Sequence, residues 1–279
     1  MDREKVLKEI QSNIRAGNTP LASGQIMEMA EHFSDDPFTL LTCASLLKVI
    51  DDENGAARII RTVPGRVRDE DRLEIAKGLR GIGSPAEAAD VLSLAMESEE
   101  VWRERMNVLF DLRMYSESMK AYERLSAPTL EDSVVMIDSV SAAGEHGRAV
   151  GLAKDLLSEA PADLRVQRCY CSALSAAGMS KEAGKFVKDN LKSSGSSSDA
   201  NALAAYHLWI EGKTASAGAY ASKAIKEDPG NTMAMEILGY SLVEKKKLRE
   251  AKIVAGAINE KEPGHPAVVR ILDMCRNAM

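Results

Sequence analysis

Residues 232–263 read TMAMEILGYSLVEKKKLREAKIVAGAINEKEP, two apolar-rich stretches separated by a lysine-rich turn and closed by Pro263. In the second stretch, Ala255 and Ile258 follow Ala251 by four and seven residues. Offsets of four and seven place side chains on one face of an α-helix. A small residue at the head of that face lets a second helix approach closely. The stretch therefore predicts an antiparallel pair of helices joined by a short turn.

The same pattern recurs along most of the chain. A small residue stands at the position of Ala251 in every unit, with spacings of 34, 32, 30, 31, 34, 34 and 34 residues. Breakers at Pro161, Gly195, Pro229 and Pro263 follow the same 34-residue spacing. A pair of helices with two apolar faces cannot bury both alone, but a stack of pairs can. The eight small residues are Ala22, Ala56, Ala88, Ser118, Ala149, Ala183, Ala217 and Ala251.

A turn position precedes each small residue by five. It is glycine in five units, and glycine at the end of a helix predicts a backbone with positive φ. Asp51, Arg113 and Lys246 occupy the position in the other three units. The glycines are Gly17, Gly83, Gly144, Gly178 and Gly212. The motif Gly78-x-x-Gly81-x-Gly83 is therefore interpreted as the end of a helix rather than a phosphate-binding loop, because it follows no strand.

The best unit resembles the tetratricopeptide repeat, whose pattern is Trp-x₂-Leu-Gly-x₂-Tyr, then Ala-x₃-Phe, then Pro. Residues 3–264 follow the family's period and its small-residue positions, but Leu, Met or Ala replace most of its aromatic residues. The resemblance implies an all-α, right-handed superhelical solenoid of about eight antiparallel helix hairpins. Another α-solenoid of similar period is the alternative. The matching residues are Met235, Leu238, Gly239, Leu242, Ala251, Ala255 and Pro263 in the last unit and Trp102, Leu109, Ser118 and Tyr122 in an earlier one.

The repeat divides the chain into units and a tail. Residues 265–279 carry one more apolar stripe and are predicted to form a C-terminal capping helix. The serine-rich run at 193–198 falls between two units, where we expect a loosened inter-repeat loop, with a hinge as the alternative. The predicted units span about 3–36, 37–68, 69–98, 99–129, 130–163, 164–197, 198–231 and 232–264.

Charge and cysteine content restrict the function classes. The 279 residues carry 36 Lys and Arg against 42 Asp and Glu, a formal charge of −6. An acidic chain repels phosphate, which disfavours nucleic acid and anionic membranes as partners. The first residues, MDREKVLKEI, lack the apolar core of a signal peptide, and no apolar run is long enough to span a bilayer. Four scattered cysteines in apolar stretches favour reduced, buried thiols, so we expect a cytoplasmic protein.

No motif indicates catalysis, a metal or a cofactor. Cys169-x-Cys171 places its two thiols on opposite sides of a helix and has no second ligand pair, so a metal site is not expected. The four histidines lie in four different units. The cluster Lys245-Lys246-Lys247 with Arg249 is interpreted as a solvated turn, with contact to an acidic partner as the alternative.

In tetratricopeptide arrays the first helix of each hairpin lines the inner groove, and the resemblance implies the same positions here. Basic and aromatic residues in those positions predict a groove for an extended peptide with acidic and apolar side chains, with a diffuse solvated face as the alternative. Arg103 and Asn107 match part of a carboxylate clamp, but Val134 and Val135 stand where its next Asn is required. The candidate groove residues are Lys77, Arg80, Arg103, Asn107, Phe110, Arg165, Arg168, Tyr206, Trp209 and Tyr240.

Three functional hypotheses follow from these observations. The resemblance implies a non-catalytic protein-binding scaffold or assembly factor that captures a partner protein or peptide. The second hypothesis is a permanent structural subunit of a multiprotein complex that uses its convex face or its edges. The third, a nucleic-acid-binding regulator or an enzyme, is disfavoured by the acidic charge and the missing catalytic motifs.

Overall fold

The computed structural model describes residues 1–195, 197–262 and 264–278. Within these ranges every regular element is helical, which confirms the predicted all-α class. The chain divides into two compact units, residues 1–112 and 113–279. Pro263 and Ser196, which belong to the predicted proline spacing and the predicted loop at 193–198, lie outside the described residues.

Unit 1 contains three helix pairs and one further helix. In each pair the two helices pack against each other, and the first helices α3, α5 and α7 contact in order. Two short 3-10 turns, Pro64–Arg66 and Asp69–Asp71, connect the second pair to the third. The helices are α1 Arg3–Arg15, α2 Thr19–His32, α3 Pro37–Val49, α4 Glu53–Ile60, α5 Arg72–Gly81, α6 Pro85–Ser93 and α7 Glu99–Asp111.

Unit 2 begins with one helix, continues through four pairs and ends with a further helix. The first helices α9, α11, α13, α15 and α17 contact in order, and α17 also packs on α16. Because α7 and α8 belong to different units, the count of eight hairpins and the handedness stay predictions. The helices are α8 Tyr115–Tyr122, α9 Leu130–Ala142, α10 His146–Glu159, α11 Leu164–Ala176, α12 Ser180–Ser193, α13 Ser198–Ile210, α14 Thr214–Glu227, α15 Thr232–Glu244, α16 Leu248–Lys261 and α17 Pro266–Asn277.

The predicted turn positions, one in each repeat and together called the turn column, are confirmed in all eight repeats. Each of the five glycines has positive φ, and Asp51, Arg113 and Lys246 adopt the same left-handed backbone with φ of 62°, 61° and 60°. In seven turns the amide of the next residue donates to a carbonyl five residues earlier, as from Asn18 to Asn13. This bond closes a Schellman motif and satisfies carbonyls that the helix end leaves without partners. The turn therefore requires the conformation rather than glycine itself.

The column of small residues is also confirmed. All eight side chains are fully buried. The residues four positions later are also buried in seven of the eight repeats, so this edge of the second helices faces the protein interior. The shorter repeat spacings have a simple cause: α4, α6 and α8 have 8, 9 and 8 residues, whereas α10, α12, α14 and α16 have 14.

Polar caps start most first helices. Asp2, Asp36 and Asp163 accept backbone amides of α1, α3 and α11 through their carboxylates. Thr129 and Asp132 form a reciprocal capping box at α9. Among the second helices only α4 has a side-chain cap, in which Asp52 accepts from the Gly55 amide. Caps and turns together set the helix ends.

Candidate functional site

All ten predicted groove residues lie on first helices, and they divide equally between the two units. Lys77 and Arg80 are on α5, and Arg103, Asn107 and Phe110 are on α7 of unit 1. The other five, Arg165, Arg168, Tyr206, Trp209 and Tyr240, are on α11, α13 and α15 of unit 2. The two groups are therefore described separately.

In unit 1, Arg80 is part of a buried ion pair. Its Nε lies 2.6 Å from Glu104 Oε1, and its Nη1 lies 3.8 Å from Asp111 Oδ2. Glu104 is only 4% exposed. Burial raises the pKa of the Glu104 carboxyl, and the Arg80 charge opposes that rise. Because Arg80 neutralises a buried carboxylate between α5 and α7, we infer that it stabilises the stacking of these helices.

The other two basic residues predicted for the groove of unit 1 also have carboxylate neighbours. Lys77 Nζ lies 2.8 Å from Glu74 Oε1, and Arg103 Nη2 lies 3.4 Å from Glu99 Oε1, each pair within one helix. The Lys77–Glu74 pair is exposed, and exposed pairs contribute little to stability, whereas the Arg103–Glu99 pair is partly buried. Asn107 and Phe110 are partly buried. Unit 1 therefore offers a largely neutralised surface at the predicted positions.

In unit 2, Arg165 lies at the start of α11 and pairs with the residue that caps it. Its Nη2 is 2.7 Å from Asp163 Oδ2. The hydrogen bond from Arg165 lowers the pKa of the Asp163 carboxyl, which keeps the cap charged. A negative charge at the start of a helix also interacts favourably with the helix dipole. Arg165 is exposed, but its guanidinium is already paired with Asp163 at the start of its own helix.

Arg168 reaches across two neighbouring first helices. Its Nη2 lies 3.8 Å from Asp138 Oδ2 on α9, and its guanidinium lies 5.8 Å from the centre of the Tyr206 ring on α13. Burial raises the pKa of Asp138, and the charges of Arg168 and Arg270 oppose the rise. Both members of the pair keep part of their surface exposed, so a ligand can reach them.

Trp209 and Tyr240 connect α13 with α15. Their rings stack with centroids 5.2 Å apart and an angle of 30° between the planes. The Tyr240 hydroxyl donates a hydrogen bond of 2.7 Å to Glu236 Oε1. Burial, and then the Glu236 charge, raise the pKa of Tyr240, so its phenol stays protonated. Tyr240 is buried, while Trp209 keeps an exposed edge beside it.

Two further charged residues belong to this face and were missed by the sequence prediction. The Glu236 charge acts on Arg168, and Arg270 on α17 acts on both Asp138 and Tyr240. They follow Arg168 by 68 and 102 residues, two and three repeats of 34, so the period itself could have identified them. We name the whole set the aromatic–charge strip, which consists of Asp138, Arg168, Tyr206, Trp209, Glu236, Tyr240 and Arg270.

A row of potentially reactive groups lies inside unit 2. Cys171 Sγ lies 3.8 Å from His207 Nδ1, and His207 Nε2 lies 3.5 Å from Glu211 Oε1. Cys171 is fully buried, and burial raises the pKa of its thiol to about 12. A nucleophilic cysteine needs a lowered pKa and access to substrate, and this one has neither. The row is therefore structural.

The four cysteines are free and buried, as predicted. Cys169 and Cys171 lie in different apolar clusters, which confirms that they face opposite sides of α11. In the ranges that the structure describes, no three His, Cys, Asp or Glu residues gather where a metal could bind. None of the helices in those ranges has the length and apolar character needed to span a bilayer.

Comparisons with known proteins concern the fold. No protein-family model matches the chain, and no curated protein matches it. Among solved structures it is similar to a tetratricopeptide repeat protein from Parabacteroides merdae, with 11% identity, 98% of both chains covered and a TM-score of 0.48. It is similar to the P58(IPK) TPR domain, with 14% identity, 100% of this chain and 98% of that chain covered and a TM-score of 0.34. It is also similar to yeast Tom70, with 13% identity, 93% of this chain and 58% of that chain covered and a TM-score of 0.48. The stacked hairpins described above, rather than these similarities, establish the fold.

Proposed function

We propose that the protein is a non-catalytic protein-binding scaffold or assembly factor. In this proposal an extended segment of a partner lies along the aromatic–charge strip of unit 2. The observation that carries it is the stacked pair Trp209–Tyr240 next to the partly exposed pair Arg168–Asp138 on consecutive first helices. Rigid aromatic rings flanked by charged groups are typical of the residues that contribute most to protein–protein binding.

The charges of the strip define the partner. Asp138 and Glu236 balance Arg168 and Arg270, so the strip has no net positive charge. A purely acidic segment would meet carboxylates as well as guanidinium groups. We therefore propose a partner segment with an apolar side chain for Trp209 and charged side chains of both signs. Alternating charges select the register of such a segment more than they raise its affinity.

The partly satisfied state of the strip supports binding. Arg168 lies 3.8 Å from Asp138, a distance at which the pair is loose. Its guanidinium can turn to a carboxylate of the partner and form two parallel hydrogen bonds. Arg165 and the unit 1 residues Lys77, Arg80, Arg103, Asn107 and Phe110 stay predictions as contact residues.

The test uses the full chain as bait for a displayed library of random peptides. Selected peptides are synthesised, and their affinities are measured by isothermal titration calorimetry. We expect Trp209→Ala and Arg168→Gln each to weaken binding by about tenfold, which corresponds to about 1.4 kcal/mol. Arg148→Gln is the matched control, because Arg148 is an exposed arginine on the second helix α10 and pairs with Glu145.

Circular dichroism establishes that each variant is folded before binding is compared. Arg168→Gln keeps the proposal testable if Trp209→Ala unfolds. Peptides that bind both strip variants as tightly as the unaltered chain would overturn the proposal. Failure to select any peptide from the library would overturn it as well.

A further inference from the structure

A groove on unit 2 lies away from the aromatic–charge strip. The second helices α14 and α16 form its walls, the first helix α15 forms its floor, and its volume is about 550 Å³. Leu238 and Leu242 contribute to the floor, and Ile253 and Val254 line the α16 wall. Ile253 is 65% exposed, an unusual position for a large apolar side chain. The groove is a mainly apolar surface open to solvent.

Small residues on α14 create the groove. Ala215, Gly218 and Ala219 form most of that wall, so few atoms stand between α14 and α16. A side chain at Gly218 would clash with the Ser241 hydroxyl on α15. That hydroxyl donates a hydrogen bond of 3.1 Å to the carbonyl of Thr214 at the start of α14. Close approach of α14 to the floor is therefore built in, and the groove is preformed.

One end of the groove is basic. Lys245 and Lys247, in the turn between α15 and α16, both line it. Lys247 Nζ pairs with Glu250 at 3.0 Å. In the described part of the chain, Lys245 has no ion pair. A partner that enters this groove thus requires large apolar side chains with an acidic group beside them.

A segment of that chemistry occurs in unit 1 of the same chain. Residues 94–100 read LAMESEE, with three glutamates and no basic residue. Leu94 is 67% and Met96 82% exposed, although both are large apolar side chains. The Glu97 side chain is 71% exposed, and its ion pair with Arg105 is long, at 3.9 Å. Large apolar groups that protrude next to carboxylates complement the groove in both hydrophobicity and charge.

The segment is also held in place from both ends. Arg105 Nη2 donates a hydrogen bond of 2.8 Å to the Leu92 carbonyl before it. Ser98, within the segment, caps α7 and accepts from the Val101 amide at 3.2 Å. Ala95, between the two protruding residues, packs on the unit 1 core. An ordered segment loses little conformational entropy on binding, so such a contact needs less compensating energy.

We propose that the groove between α14 and α16 binds the segment 94–100 of a second copy of this chain. Leu94 and Met96 enter the apolar part, and Glu97 lies against Lys245. The contact joins two different surfaces, so a single contact leaves a free groove on one copy and a free segment on the other. Two copies close both contacts in a reciprocal dimer, or further copies add to form a larger ring or an open chain. This contact is independent of peptide binding on the aromatic–charge strip.

Sedimentation velocity of the full chain over a wide range of concentrations tests the proposal. The unaltered chain is expected to form larger species as concentration rises. Leu94→Ser with Met96→Ser removes the segment's anchors, and Ile253→Glu places a charge in the groove. These three side chains are exposed, so the variants are expected to fold, and each alone is expected to stay monomeric. Mixed together, they are expected to form a complex of one copy of each and nothing larger, because only one intact contact exists.

Charge reversal and a control complete the test. Lys245→Glu is expected to weaken association about tenfold, and combining it with Glu97→Lys is expected to restore it. Leu21→Ser is the matched control, since Leu21 is an exposed leucine of unit 1 outside the segment, 56% exposed. A chain that stays monomeric at every concentration would show that the groove does not bind a second copy. Equal association of all variants, or a mixture without the complex, would also overturn the proposal.

Discussion

The Trp209 indole stacks on the Tyr240 ring from the next hairpin, with 5.2 Å between the ring centroids. Offset stacking of two aromatic rings is worth about 0.5–1.5 kcal/mol beyond the area that it buries. A double-mutant cycle of Trp209→Leu and Tyr240→Leu should therefore give a coupling energy of about 0.5–1.5 kcal/mol. Urea unfolding followed by circular dichroism measures it.

The control for this cycle pairs Trp209→Leu with Tyr170→Leu. Tyr170 makes its ring contact with Phe186 instead, at 5.1 Å. We expect these two substitutions to be additive within about 0.5 kcal/mol. Equal coupling in both cycles would mean that the Trp209–Tyr240 stack adds nothing specific.

Replacing Arg113 by glycine is expected to stabilise the protein. Arg113 is exposed and has φ of 61°, a conformation that costs an L-residue about 1–2 kcal/mol. Glycine adopts it without that cost, but it loses more backbone entropy on folding. We expect a net gain of about 0.5–1 kcal/mol in the free energy of unfolding. Gly178→Ala, at the equivalent turn with φ of 74°, should show the opposite sign.

Removing Arg80 is expected to be more harmful than removing the whole ion pair. Arg80→Met leaves the Glu104 carboxylate buried without its counter-ion, at a cost of about 3–5 kcal/mol. Arg80→Met with Glu104→Leu should recover most of that loss, because no buried charge remains. A double variant as unstable as Arg80→Met would contradict this interpretation. Thermal unfolding of both variants and the unaltered chain measures the effect.

The Arg80→Met variant also has a predicted pH dependence. Burial already raises the pKa of Glu104, and loss of the Arg80 charge raises it further. A carboxyl whose folded pKa exceeds its unfolded value is favoured below the unfolded pKa and loses that advantage as pH rises through the folded pKa. The deficit of Arg80→Met relative to the unaltered chain should thus shrink as the solution is acidified.

His207 is expected to make stability depend on pH in the opposite direction. Burial lowers its pKa, and the nearby Glu211 charge opposes this. The unfolded chain therefore takes up a proton first, and stability falls as pH drops below about 6.5, the ordinary histidine value. His207→Gln should flatten the pH dependence of unfolding between neutral pH and about pH 5. His146→Gln, which removes an exposed histidine, is the matched control.

Sequence alone determined the repeating unit of this protein. The turn column and the small-residue column depend on contacts within a hairpin, where helical periodicity at offsets of four and seven decides which side chains are buried. Both columns therefore hold along the whole array, including Asp51, Arg113 and Lys246, where no glycine marks the turn. Burial of Cys169 and Cys171 on opposite sides followed from the same geometry.

Tertiary structure alone decided which charges meet. Arg80 pairs with Glu104, which lies 24 residues from it in the sequence, and Arg168 pairs with Asp138, which lies 30 residues from it. Both pairs form because neighbouring first helices pack side by side. The groove between α14 and α16 depends likewise on how hairpins stack. Packing between hairpins is set by side-chain volumes on several helices at once, which no single periodic pattern contains.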